Sequence, residues 1–194
     1  MASRYTGGMH PRQPLPLVWL FSDARNDRGL AAALTALPPG SGFVFRHYHL
    51  APTMRAASFR RLAAIARERA HLVLLADHPS RAAEWGADGV YGDARRIGSA
   101  HGLLKLAAAH DGEEIDAAGR AGADGVFLSP VFPTRSHPGA RPLGVHGFHV
   151  LAQRSSVPVI ALGGMSPARA GELAWPRWGA IDGLHDLLDP PQPA

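Results

Sequence analysis

Short apolar runs alternate with amphipathic stretches along this chain, at a spacing of roughly 20–25 residues that suits strand–helix units. Apolar runs at 17–21, 42–49, 71–76, 87–91, 103–109, 125–131 and 157–162 predict seven strands, and 179–187 an eighth. Helices are expected at 28–37, 54–70, 80–85, 113–121 and 147–155, and from Ser166 to about Leu173. The 54–70 stretch carries Leu62 and Ile65 at helical spacing with arginines between them. Pro38-Pro39-Gly40 and Gly122 stop two of these helices, and Ser166-Pro167 is an N-cap followed by proline at the first helical position.

Strands separated by helices must run parallel, and eight such units predict an α/β fold of the (β/α)8 TIM-barrel type. A doubly wound open sheet is the alternative. The barrel domain is expected over 17–188, between a Gly- and Pro-bearing flexible tail at 1–16 and a short tail at 189–194. The chain stops soon after the eighth strand, so the last helix is expected to be truncated. That leaves a flank that a second copy of the chain could cover in a homo-oligomer.

Composition narrows the function classes. The 194 residues include no cysteine, which excludes disulfides, thiolate metal sites and a cysteine nucleophile. No apolar run reaches the roughly 18 residues of a membrane helix, so no membrane partner and a cytoplasmic location are expected. The net charge of +4 comes almost wholly from arginine, Lys105 being the only lysine. Arginine forks match phosphate oxygens, pointing to small phosphorylated ligands. The arginines are scattered rather than striped, so nucleic acid is not an expected partner.

In a TIM barrel the carboxyl ends of all strands share one face, where the chemistry is done. Polar residues recur at these ends: Asp23, Arg46, Asp77, Asp93, His110, Ser129, Thr134 and Ser136. Asp77 and Asp93 suit a hard cation held by carboxylate oxygens, or equally the N-caps of the following short helices. His110 is either a proton shuttle or a partner for the helix that starts after Asp111. Gly163 and Gly164, just before a helix start, let the backbone approach a phosphate.

The densest stretch reads Ser-Pro-Val-Phe-Pro-Thr-Arg-Ser-His-Pro over 129–138, closing at Pro-Leu-Gly over 142–144. It resembles the signature loop of the thiamine phosphate synthase/TenI family. A second piece, Val-Pro-Val-Ile-Ala-Leu-Gly-Gly over 157–164, is similar to that family's phosphate-binding strand, and weaker matches extend the resemblance to roughly 17–187.

The resemblance implies joining of hydroxymethylpyrimidine diphosphate to thiazole phosphate, with Mg²⁺ as cofactor. It implies Asp77 and Asp93 as metal ligands, Arg46 and His110 as catalytic residues, and Thr134 and Ser136 at the thiazole. Gly163 and Gly164 would take the thiazole phosphate, Arg46 would also bind the diphosphate, and His137, which stands where many members have lysine, would bind substrate as well. The chain departs from the family pattern at Tyr48, Ala76, His78 and Ala108, mostly in the diphosphate half. A TenI-like thiazole tautomerase using His110 without a metal therefore stands as the alternative. So does a non-catalytic relative that binds thiazole phosphate.

Overall fold

The computed structural model describes residues 14–98, 100–136, 138–182 and 184. Eight strands form one closed, all-parallel barrel in chain order. They are β1 (Val18–Phe21), β2 (Gly42–Phe45), β3 (Leu72–Leu75), β4 (Gly89–Gly92), β5 (Leu104–Ala109), β6 (Gly125–Leu128), β7 (Val159–Ala161) and β8 (Trp178–Ala180). β8 pairs with β1 through Val18–Trp178, Trp19–Gly179 and Leu20–Ala180, which closes the ring. The helices between strands are α1 (Leu30–Ala36), α2 (Pro52–Glu68), α3 (Pro79–Glu84), α4 (Ala94–Ile97), α5 (Gly112–Arg120), α6 (Gly144–Arg154) and α7 (Pro167–Leu173). This is the expected (β/α)8 barrel.

Side chains alternate across each strand, so one set fills the barrel and the other packs under the helices. Trp19, Phe21, Val44, Leu74, Leu106, Phe127 and Ile160 belong to the interior set. Leu20, Phe43, Phe45, Val73, Leu75, Val126 and Leu128 belong to the outer one, against residues such as Leu34, Phe59, Leu62 and Phe148. The interior is aromatic. Phe127 meets Trp19, Phe21 and Tyr91 edge-on, at centroid distances of 5.4, 4.9 and 5.5 Å. Such volume fits only because neighbouring inward positions are empty. A Cβ on Gly42 would lie 2.1 Å from the Trp19 ring, and one on Gly179 3.1 Å from the Trp19 Cβ. The ring is held in place by its Nε1–H, which donates to the Pro16 carbonyl at 2.9 Å.

Several boundaries differ from expectation. β2 ends at Phe45 rather than residue 49, so His47, Tyr48 and His49 lie in the loop after it, and α6 begins at Gly144 rather than residue 147. Leu15 and Pro16, assigned to the tail, are buried, and Leu15 packs among the interior side chains at the amino end of the barrel. β6 stops at Leu128 rather than residue 131, because Pro130 and Pro133 divert the chain into a loop. β8 covers only Trp178–Ala180, since Ile181 and Asp182 already turn away from the sheet. The tails over 1–13 and 189–194, and the truncation of the last helix, lie outside the described residues.

Gly42→Ala tests the interior packing. It should cost about 3 kcal/mol in urea unfolding, at the upper end for overpacking, because the anchored indole cannot withdraw. Gly29→Ala, whose Cβ meets nothing within 4 Å, should stay within about 0.5 kcal/mol.

Candidate functional site

A cavity of about 300 Å³ opens at the carboxyl ends of the strands. Its walls include Arg46 after β2, Tyr91 at the end of β4, His110 after β5, the loop carrying Ser129, Thr134, Arg135 and Ser136 after β6, and Gly163 and Gly164 after β7. Seven of the residues singled out from the sequence thus share one cavity: Arg46, His110, Ser129, Thr134, Ser136, Gly163 and Gly164. His137 lies outside the described residues.

The two glycines are required by their geometry. Both have positive φ, 87° and 66°. A Cβ on Gly163 would lie 2.7 Å from Pro130 Cα, and one on Gly164 2.6 Å from the Pro133 carbonyl oxygen. The β6 loop therefore lies directly on this turn, held there by hydrogen bonds from Val131 N–H to Leu162 O and from Phe132 N–H to Gly163 O. Arg169, one turn into α7, donates to the Gly164 carbonyl and stacks over Phe132 at 5.1 Å. The result is a rigid, side-chain-free surface on one side of the cavity.

Charge at the rim is organised by arginine–aspartate pairs. Arg46 donates to Asp23 at 2.7 Å and to the Ser22 carbonyl at 3.0 Å. Arg25 bridges three elements: it donates to Asp23 at 2.9 Å and to the Ser136 hydroxyl at 2.8 Å, and pairs with Asp182 at 3.3 Å. Arg135 also donates to Asp182, at 3.1 Å. Burial works against the charge on Asp23, but the Arg25 hydrogen bonds and the nearby Arg46 hold its carboxyl below the usual range. The acidic end of β8 is thus neutralised by two arginines. Burial pushes the Tyr91 phenol in the cavity wall up to about 12, so it stays a neutral donor.

His110 is paired. Glu114, on the first turn of α5, accepts from His110 N–H at 2.7 Å and lies 2.8 Å from Nδ1. With a proton on Nδ1 donated to the carboxylate, Nε2 is left as a base. Asp111 caps the helix, accepting from Glu114 N–H at 2.9 Å, and the two His110–Glu114 contacts make His110 a partner of the same helix start as well as a candidate base.

Asp77 and Asp93 are placed differently. Neither lines the cavity. Asp93 caps α4 by accepting from Arg95 N–H at 2.8 Å. Asp77 accepts from His78 N–H through Oδ1, and its Oδ2 takes Arg55 and, at 3.4 Å, Arg81. The cap of α3 is His78 rather than Asp77. Burial opposes ionisation of Asp77, but the His78 N–H and the two arginines outweigh it and keep its pKa below the ordinary 3.8.

Sequence reasoning passed over Arg25, Arg55 and Arg169. Arg55 is buried, donates to the Arg46 carbonyl at 2.8 Å and to the Ala76 carbonyl at 3.1 Å, and stacks on Phe45, Tyr48 and Trp85. Its signal was spacing: Arg55, Phe59, Leu62, Ala63 and Ala66 form the buried stripe of α2, so this arginine sits on the apolar face.

Comparison with known proteins adds the family. A family model described as thiamine monophosphate synthase matches residues 18–180. A thiamine-phosphate synthase of Bordetella pertussis is 33% identical over 163 residues, covering 76% of this chain and 75% of that protein. A putative thiamine-phosphate synthase 2 of Aquifex aeolicus is 41% identical over 58 residues, and the match spans only 31% of that protein's length. Among solved structures, a thiamine phosphate pyrophosphorylase from Pyrococcus furiosus superposes with a TM-score of 0.72 at 23% identity, over 88% of this chain and 91% of that one. This last likeness is one of fold.

Asp77→Asn should destabilise the protein by about 2 kcal/mol at neutral pH, since it leaves the buried Arg55 guanidinium without its anion. Because the folded-state pKa of Asp77 is depressed, its contribution is present above the unfolded-state value. It is lost as pH falls through the folded one, below 3.8. Urea unfolding of both proteins from pH 7 to pH 3 should show the difference shrinking as acid is added.

Proposed function

The chain belongs to the thiamine monophosphate synthase family, and on that premise we propose that its cavity joins hydroxymethylpyrimidine diphosphate to thiazole phosphate. The bond between the pyrimidine methylene carbon and the diphosphate oxygen breaks, and diphosphate leaves with the bonding pair. The thiazole nitrogen attacks that carbon and forms the new C–N bond. The observation that carries this reading is the joint Gly163-Gly164 surface, pressed against the loop that bears Thr134 and Ser136. A phosphate is the ligand such a bare backbone surface accommodates. The Thr134 and Ser136 hydroxyls would orient the thiazole, with Ser136 itself held by Arg25.

Loss of diphosphate needs its developing charge met by preorganised cations. Arg46 and Arg135 line the cavity and are the guanidiniums that would meet it, although Arg46 is partly neutralised by Asp23 and Arg135 by Asp182. Asp77 and Asp93 do not fit Mg²⁺ as they stand. One is committed to two arginines and a backbone N–H, the other to a helix cap, and neither faces the cavity. We assign the chemistry to the cytoplasm, with small phosphorylated molecules as partners. Among the described residues no helix is long and apolar enough to cross a membrane.

One observation favours a second reading. The His110–Glu114 pair at the cavity wall is the arrangement of an oriented general base, which thiazole tautomerisation needs and the synthase reaction does not.

The purified protein, mixed with hydroxymethylpyrimidine diphosphate and thiazole phosphate with and without Mg²⁺, should yield thiamine phosphate and equimolar diphosphate. Gly163→Ala, which forces a Cβ into Pro130, should lower kcat/KM about a hundredfold. Ser136→Ala should raise the KM for thiazole phosphate about tenfold. Absence of product, combined with thiazole tautomerisation that His110→Gln abolishes, would replace the synthase reading with the second one.

A further inference from the structure

The loops after β1 and β2 bring together Asp27, His47 and His49, none of which lines the cavity. Their donor atoms all lie within 4.8 Å of one another, and they are the one group of three or more such residues among those described that could hold a metal. We propose that Asp27, His47 and His49 form a binding site for a divalent transition-metal ion of the Zn²⁺ type. This site lies outside the catalytic cavity, and the proposal is independent of the reaction assigned to that cavity.

The geometry suits such an ion. His47 Nε2 lies 3.0 Å from Asp27 Oδ1. Two ligands of one tetrahedral metal, each about 2.0–2.1 Å from it, are separated by roughly 3.3 Å, so an ion enters with little movement of either group. His49 follows two residues after His47, and their rings are 5.1 Å apart and tilted by 42°. His49 is exposed, so its ring is free to rotate towards the shared point. Two imidazoles and one carboxylate, with the remaining positions open to water, select a borderline cation over Mg²⁺ or Ca²⁺.

His47 is held as a metal-ligating histidine usually is, by its other nitrogen. Nδ1 lies 2.9 Å from the Ser22 hydroxyl, which is itself fully buried and accepts the Arg46 N–H at 2.7 Å. The ring is 1% exposed and stacked on Phe45, 4.7 Å away at an interplanar angle of 22°. Its backbone takes φ of 39°, a region that non-glycine residues seldom occupy. A hydroxyl both donates and accepts, so Ser22 tolerates either tautomer. With Nδ1–H towards Ser22, the Nε2 lone pair is free for the ion. An ion here would tie the β1–α1 loop to the β2–α2 loop and fix the backbone beside Arg46.

Zn²⁺ titration of the full chain by calorimetry tests this without any substrate. Asp27→Asn and His49→Gln alter partly or fully exposed side chains and should leave the circular dichroism unchanged. Each should abolish one equivalent of Zn²⁺ or weaken it at least tenfold. Co²⁺ in place of Zn²⁺ should give visible absorption bands with wild type that both variants lose. Absence of Zn²⁺ binding by the wild type, or binding of equal stoichiometry and affinity by both variants, would overturn the proposal.

Discussion

A barrel of eight strands, none longer than six residues, has one small interior that must be filled completely, and everything above it depends on how that is done. Here the filling is a cluster of four aromatic rings, Trp19, Phe21, Tyr91 and Phe127, arranged edge to face. They fit because Gly42 and Gly179 present no side chain where Trp19 stands. Tyr91 belongs both to this cluster and to the wall of the cavity. The floor of the functional site is thus the top of the barrel core, and its rigidity is that of a packed interior rather than of a loop.

On that floor the two sides of the cavity differ in kind. The side built from the β6 loop and the Gly163-Gly164 turn is a backbone surface locked by main-chain hydrogen bonds. The other side carries Arg46 and Arg135, held by Asp23 and Asp182, with Arg25 bridging both carboxylates. Preorganised backbone favours a fixed anion such as a phosphate monoester. Paired guanidiniums present less net charge, so a dianion or trianion leaving from that side is met less strongly. The unusual features of this chain concentrate there, including the exposed Tyr48 and the Arg55 that lies beneath it.

Much of this was legible in the sequence. Periodicity alone marked the eight strands and the order of the helices, because buried parallel strands and amphipathic helices differ in apolar spacing. The β6 loop and the glycine pair were legible as well, since proline, hydroxyls and glycine have few other uses at a strand end. The ionic architecture was not. Arg55 sits on the apolar stripe of α2, and only its spacing from Phe59 betrays that it is buried. Arg25, Asp182 and Ser136 are 111 or more residues apart from one side to the other in two of their three pairings, and no local pattern joins them. Asp77 and Asp93 read equally as cap or ligand from spacing; Asp93 took the local cap, while the Arg55 partner of Asp77, 22 residues back, is visible only in three dimensions. Leu15 read as tail because prolines flank it, yet it seals the amino end of the barrel.

The most direct test is a crystal structure of the protein with thiazole phosphate bound. The phosphate should lie against the backbone of Gly163 and Gly164, with the ring beside Thr134 and Ser136. A phosphate bound instead among Arg25, Arg46 and Arg135, or a cavity that stays empty at saturating ligand, would contradict the account.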